Sequence, residues 1–188
     1  MSTVLTHVFV SAAATRTVMG AGASRRTYLL AAICSVAADL DVVGLRLGIP
    51  YEHMLGHRGL SHSVAFAVVL SLAVLLVGGR GVRISSRRWW GLWALLAAIA
   101  LSHGLLDAVT NGGLGVAAWA PFSNARHFLP YRPLVVSPIG LAHMFSPWGA
   151  TVILSELLWV WAPLTACLLV AEGVRAALAH DEPSDNDA

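Results

Sequence analysis

The chain contains no lysine: all 12 of its basic residues are arginine. Charge of either sign is scarce. Charged residues make up 12% of the 188 positions, against roughly 25% in a soluble domain. Hydrophobic residues make up 57%, and the mean hydropathy is +0.71. Together these exclude an ordinary soluble globular class, and the chain reads as an integral membrane protein of one domain. Cysteine is equally rare. Cys34 and Cys167 stand alone in apolar segments, which argues against a disulfide framework and leaves two small packed hydrophobes. The first basic residue is Arg16, so a positive n-region is lacking and no cleavable signal peptide is expected. No internal repeat stands out, and a net charge of +2 says less than where the arginines lie.

Apolar runs long enough to cross roughly 30 Å of hydrocarbon take about 20 helical residues. Five are expected: 3–19, 28–47, 63–79, 89–109 and 148–175. The first is short. The fourth opens on Trp89-Trp90, a plausible interfacial belt, and the fifth is longer than a span needs. The predicted fold is all-α, a multi-pass transmembrane bundle of about five helices spanning residues 1–179. Residues 180–188 form an acidic tail with the composition of disorder. Two long loops remain, 48–62 and 110–147. The second is rich in Gly, Pro and aromatics, and a loop that long is usually functional or disordered. Its aromatic content argues against disorder.

Arginine asymmetry sets orientation. Alternating the five spans puts Arg16, Arg25, Arg26, Arg80, Arg83, Arg87, Arg88 and Arg175 on one side. Arg46, Arg58, Arg126 and Arg132 fall on the other. The first side is therefore cytoplasmic, and both long loops face outward. His7, Asp39, Asp41, His57, His62, His103 and Asp107 then all reach the same extracytoplasmic end.

That convergence carries chemistry, because ionisable side chains are expensive near hydrocarbon. His103 and Asp107 are i and i+4, on one helix face, so both can bind one ion. Asp39 and Asp41 would diverge on a regular helix, but at a helix end both can reach a site, or one can orient a neighbouring histidine. His57 and His62 straddle Gly59 and lead into a helix whose N-cap could be Ser61 or Ser63. Taken singly, each group has an ordinary explanation as a cap or a hydrogen-bonded pair. Together they read as a metal centre. Imidazole with carboxylate suits zinc, manganese or iron, rather than thiolate-bound structural zinc. The donors exceed one tetrahedral set, so one or two ions are possible, with His7 as a seventh candidate. His53, His127, His143 and His180 are read as ordinary surface groups.

Such an ion would act as a Lewis acid on a phosphoryl or acyl oxygen and activate water. Arg58, Arg126 and Arg132 could pair bidentately with a phosphate, Arg58 best placed of the three and Arg126 next. Glu156 lies nine residues past Pro147, about 13 Å down a helix. A carboxylate at that depth should face inward and have a partner, as ligand, base or arginine acceptor.

Several stretches resemble the membrane-bound metal-dependent hydrolase family of bacteria and archaea, the YdjM-like inner-membrane proteins. They are Leu5-Thr6-His7, Asp39-Leu40-Asp41-Val42, His57-Arg58-Gly59-Leu60-Ser61-His62-Ser63 and His103-Gly104-Leu105-Leu106-Asp107, which runs on to Gly113. Pro121-Phe122-Ser123-Asn124, Ser137-Pro138-Ile139-Gly140 and Ser155-Glu156-Leu157-Leu158-Trp159 are also similar. The resemblance covers almost the whole chain and implies a multi-pass plasma-membrane hydrolase. The family often carries proline before its first aspartate, where this chain has Ala38. The ligand set is similar in kind to that of zinc phospholipase C.

The resulting expectation is cleavage of a lipid or amphiphile phosphoester. Asp39, Asp41, His7, His57, His62, His103 and Asp107 would hold the metal, Asp41 or Glu156 would act as base, and Arg58 and Arg126 would bind substrate. The expected partners are the lipid bilayer and an amphiphilic substrate, with no nucleic acid. The alternatives are a metal-ion or proton-coupled transporter and a non-catalytic membrane subunit with a structural metal.

Overall fold

The computed structural model describes residues 1–180, so residues 181–188 of the expected acidic tail lie outside the described residues. Its elements are α1 (Val4–Met19), α2 (Arg25–Val36), a 3-10 turn (Ala37–Asp41), α3 (Val42–Arg46), α4 (Val64–Gly78) and α5 (Arg87–Ala108). After a long loop come α6 (Leu141–Met144), α7 (Pro147–Glu156), a π-helical turn (Leu157–Trp161) and α8 (Ala162–His180). Among the described residues there are no strands, only isolated bridges joining Thr110 to Leu134 and Val116 to His127.

Local chemistry sets the starts of these helices. Thr3, Ser24, Ser63, Ser86 and Ser146 each accept a first-turn backbone N–H through the side-chain oxygen. That satisfies a donor with no partner inside the helix. Of the two candidates for the α4 cap, Ser63 is the one used. Pro147 sits in the first turn of α7, where its missing N–H is not needed.

Three helical segments have the length and composition to cross a membrane: Arg25–Arg46, Arg87–Ala108 and Pro147–Leu178. Helix α4 is a shorter apolar helix. With 16 residues, α1 is about 24 Å long, less than the hydrocarbon thickness. Its buried face is polar and small, made of Thr6, His7, Ser11, Ala13 and Thr15. Thr15 and Ser11 return their hydroxyls to carbonyls one turn back, so the polar face needs no water. Small side chains also let helices approach closely. Ala31 and Cys34 of α2 and Ala67 of α4 pack with Leu95, Leu96 and Ile99 of α5. Both cysteines are free, Cys34 buried and Cys167 exposed. Large apolar side chains such as Val77, Leu169, Val170 and Leu178 point outward, as a lipid-facing surface requires.

The loop after α5 is ordered across one end of the bundle. The Ala117 N–H donates to the Arg58 carbonyl, the Leu129 N–H to Ala108 and the Val64 N–H to Ala118. These bonds fasten the loop to the 48–62 loop and to the ends of α4 and α5.

Candidate metal centre

Asp39 and Asp41 lie in the 3-10 turn where α2 tightens. The tightening occurs although Ala38 stands in place of proline, as helix C-termini commonly do. It sends the two carboxylates to opposite sides of His62. The His62 Nδ1 lies 3.1 Å from Asp41 Oδ2 and its Nε2 lies 3.6 Å from Asp39 Oδ1. Helix α5 supplies the third side. His103 Nε2 is 3.1 Å from His62 Nε2 and 3.3 Å from Asp39 Oδ1. Asp107 Oδ2 is 3.3 Å from His62 Nε2. The i, i+4 pair does share one face.

Asp39, His62, His103 and Asp107 each present one donor atom, all within 4.8 Å of one another. A tetrahedral ion with bonds of about 2.0–2.1 Å needs donors about 3.3 Å apart. The four measured separations, from 3.1 to 3.6 Å, fit that edge. Both oxygens of Asp39 and the Oδ2 of Asp107 are buried without a hydrogen-bond partner. Unpaired carboxylate oxygens away from water are costly, and a cation satisfies them. Tautomers are also set. His103 Nδ1 donates to the Ser35 carbonyl across 2.6 Å, and His62 Nδ1 faces Asp41. Both turn Nε2 inward, the outer-sphere arrangement that orients metal-binding histidines. The donor set therefore fits a divalent metal.

A second group, Asp41, His57 and His62, also gathers within 4.8 Å, but its carboxylate is already occupied. Asp41 Oδ1 is 2.6 Å from His57 Nδ1. Oδ2 accepts from the Arg58 N–H at 3.0 Å and from Ser61 Oγ at 2.5 Å. Asp41 holds the loop and two imidazoles in place. His7 reaches the cluster but stands behind it. Its ring stacks on His103 at 3.7 Å, and its Nε2 is 2.9 Å from Ser2 Oγ and 3.6 Å from Asp107 Oδ1.

The remaining sequence candidates lie elsewhere. Arg58 is fully buried and is the only described non-glycine residue with positive φ, at 61°. It donates to the Gly112 carbonyl and to Thr110 Oγ1, with Nε 3.3 Å from Asp107 Oδ2. Its guanidinium is thus turned into the protein and away from any open surface. Gly113 makes room for it, and the neighbouring Gly59 lets the loop backbone close. A Cβ on Gly59 would collide with the Met54 carbonyl, and one on Gly113 would come within 2.9 Å of Arg58 Nη1. Arg126 donates to the carbonyls of His57, Tyr51 and His53, bracing the 48–62 loop. Arg132 is exposed and lies over the Phe128 ring.

Glu156 is inward and partnered, as its depth requires, but its partners are at the start of α1. Its oxygens accept from the Thr3 N–H, Thr3 Oγ1 and Thr6 Oγ1 at 2.5–2.6 Å. A carboxylate at a helix N-terminus is also favoured by the helix dipole. It belongs to neither donor group. Glu156→Gln is expected to lower stability by about 2–3 kcal/mol and leave metal content unchanged. Thermal unfolding with elemental analysis checks both; loss of metal would return Glu156 to the centre.

Sequence reasoning missed Ser61, the Ser35 carbonyl and Thr110. Ser61 carried a signal, since it sits inside the His57–His62 motif. The Ser35 carbonyl carried none, because any residue supplies one.

Residues 1–178 match the model of the YdjM inner membrane protein family. The chain belongs to that family. It is similar to the inner membrane protein YbcI of Escherichia coli (strain K12), 38% identical over 168 residues, covering 87% of this chain and 92% of that one. No solved structure matches. Membership of the YdjM family makes this a multi-pass inner-membrane protein, in agreement with its apolar helices.

His62 lies outside the spanning helices, and its proton bears on metal uptake. Burial, the largest influence, pushes its pKa down, but the Asp107, Asp39 and Asp41 carboxylates outweigh it and raise the value from 6.5 to about 10. Without metal the imidazole therefore carries a proton at neutral pH, which an incoming ion must displace. Metal affinity is expected to rise about tenfold per pH unit below that pKa. The stabilisation that the proton gives the metal-free fold is complete below about pH 6.5 and is lost as pH rises through about 10. Calorimetric metal titration between about pH 6 and pH 8 reads the first trend. An affinity that stays flat over that range would remove His62 from the ligand set.

Proposed function

We propose that this YdjM-family protein is a metal-dependent hydrolase that cleaves a phosphoester of a lipid or other amphiphile at the extracytoplasmic face. The observation that carries the reading is the set of buried oxygens of Asp39 and Asp107 without a hydrogen-bond partner, gathered with the Nε2 atoms of His62 and His103. Asp39, His62, His103 and Asp107 would hold the metal, zinc being the simplest fit to a tetrahedral nitrogen–oxygen set. When bound, a divalent ion there supplies Lewis-acid polarisation of a phosphoryl oxygen and acidifies water.

The chain's own residues do the rest. Asp41 and the Ser35 carbonyl orient the two ligand imidazoles. Asp39 keeps a second oxygen free of hydrogen bonds, so it is a better proton acceptor than Asp41. Asp39 also borders a cavity of about 320 Å3 whose walls include Val4, Leu5, Val42, Ile139 and Met144. Such walls accept a hydrocarbon chain and repel a soluble nucleotide. Arginine asymmetry supports the outward side, because the cluster lies at the end of the bundle opposite the eight-arginine group.

The test is elemental analysis of the purified protein, coupled to a screen of lipid phosphoesters as substrates. Stoichiometric metal with turnover that a chelator abolishes is expected. A metal-free, inactive preparation that still binds no added zinc would sink the proposal. One observation favours a second reading, a purely structural metal: four protein donors can close a tetrahedron, as structural sites do. Cobalt-substituted protein separates the two. A visible spectrum that shifts on adding phosphate shows an open position, whereas an unresponsive one shows a closed site.

A further inference from the structure

The opposite end of the bundle carries a different cavity. It measures about 120 Å3 and lies between the start of α2, the end of α4 and the start of α5. Arg26, Arg80 and Arg88 line its rim with Ser24 and Thr27. The three guanidinium groups come from three separate elements, yet all border one hollow. Among the described residues none of the three makes a side-chain hydrogen bond or ion pair. The only described carboxylate at this end is Glu172, which is already engaged by Arg16 and Arg175. All other described acids, Asp39, Asp41, Glu52, Asp107 and Glu156, lie toward the metal-centre end.

The floor of the hollow is apolar. It includes Leu75 and Leu96, each 1% exposed. Gly78 lets the helices close around it, since a Cβ there would strike the Leu30 side chain. Beside Arg88 stand Trp89 and Trp90, Trp90 half exposed, with their rings 4.9 Å apart. Exposed tryptophan at the end of a spanning helix marks the headgroup level of a bilayer. A hollow at that level with a cationic rim, two hydroxyls and an apolar floor matches one kind of molecule. That molecule has an anionic phosphate directly attached to hydrocarbon.

We propose that this cavity is a second, metal-independent binding site that holds the phosphodiester headgroup of an anionic phospholipid. Arg26, Arg80 and Arg88 surround the phosphate, the hydrogen-bonded Ser24–Thr27 hydroxyl pair donates its remaining O–H to an oxygen, and the first carbons of the lipid rest on Leu75 and Leu96. Generic attraction of arginine to an anionic leaflet makes a different prediction. It would depend on the total charge at this end and would treat Arg83 and Arg87, which do not line the cavity, as equivalents.

The experiment uses the full chain in nanodiscs of phosphatidylcholine with phosphatidylglycerol titrated in, and reads the lipids retained by native mass spectrometry. Selective retention of phosphatidylglycerol is expected. Each of R26Q, R80Q and R88Q should weaken it roughly fivefold, and the triple substitution on the order of 100-fold. R83Q and R87Q should leave it unchanged. All of these side chains are exposed, so melting temperatures in pure phosphatidylcholine should be equal and a folding defect would be visible there. Equal losses from R83Q and R87Q would overturn the proposal in favour of general surface charge. Glycerol phosphate or inorganic phosphate competing as well as the intact lipid would overturn the lipid assignment. Metal removal should change none of these results, which separates this site from the metal centre.

Discussion

Replacing His62 and Asp107 together with alanine is expected to take metal content from stoichiometric to none. The pair supplies two of four donors, and the remaining Asp39 and His103 cannot enclose an ion on two sides. A structural zinc site with its full ligand set is worth roughly 10–16 kcal/mol, so losing half of it reduces affinity by many orders of magnitude. Hydrolysis, if the proposed function holds, should fall with the metal. Asp107→Asn with His62→Gln serves as the shape-conserving companion, since the asparagine oxygen keeps an acceptor for the Ser2 N–H. Elemental analysis of either double variant decides the matter. Stoichiometric metal in a folded double variant would remove both residues from the centre.

The second large effect belongs to Arg58. Substitution by methionine keeps much of the volume and removes the only guanidinium buried against Asp107. Removing one partner of a buried ion pair leaves an uncompensated charge, at about 3–5 kcal/mol. Here the loss should lie at the upper end, because Arg58 also ties the 48–62 loop to Thr110 and the Gly112 carbonyl. Lysine should rescue little, since a point charge cannot make the forked contacts. Thermal unfolding in detergent reads the change, and saturating zinc should recover part of it by restoring positive charge beside Asp107. A variant as stable as the parent would show that Arg58 does not hold the site together.

How much of this was legible depended on the reach of each interaction. The i, i+4 pair on α5 and the Ser63 cap are local geometry, and the sequence displays local geometry directly. Five helical segments followed from hydropathy. The first run was legibly short, but only three of the five expected spans reach spanning length, because α4 is short as well. Nor could hydropathy show that α1 turns a hydroxyl-rich face inward, because burial of Thr6, Ser11 and Thr15 depends on neighbours. The convergence of Asp39, His62, His103 and Asp107 followed from alternating the spans. Their division of labour did not. Asp41 differs from Asp39 only in what surrounds it, and those surroundings come from residues 16 to 21 positions away, His57 to His62. Arg58 looked free to grasp a phosphate because polar loops usually face water. A left-handed backbone at Arg58, with Gly113 leaving room for the guanidinium, turned it inward instead. Glu156 announced that it needed a partner, and that partner lay 153 residues earlier.

That last distance bears on how the protein is made. The start of α1 is secured by Glu156 and by Trp161, whose indole N–H donates to Thr6. Its far end is secured by Glu172 through Arg16. All three anchors lie in the helical segment Pro147–Leu178, which is synthesised well after α1. Helix α1 packs on α2 and α5, but its two ends are tied down only after this later segment is made, and until then Glu156 and Trp161 are missing from its hydroxyl-rich face. Ser2 and His7 sit against Asp107 only once α1 is seated. The four candidate donors all precede Glu156 in the chain, so what the late anchors add is not a ligand but the Ser2 and His7 contacts that steady Asp107 from behind.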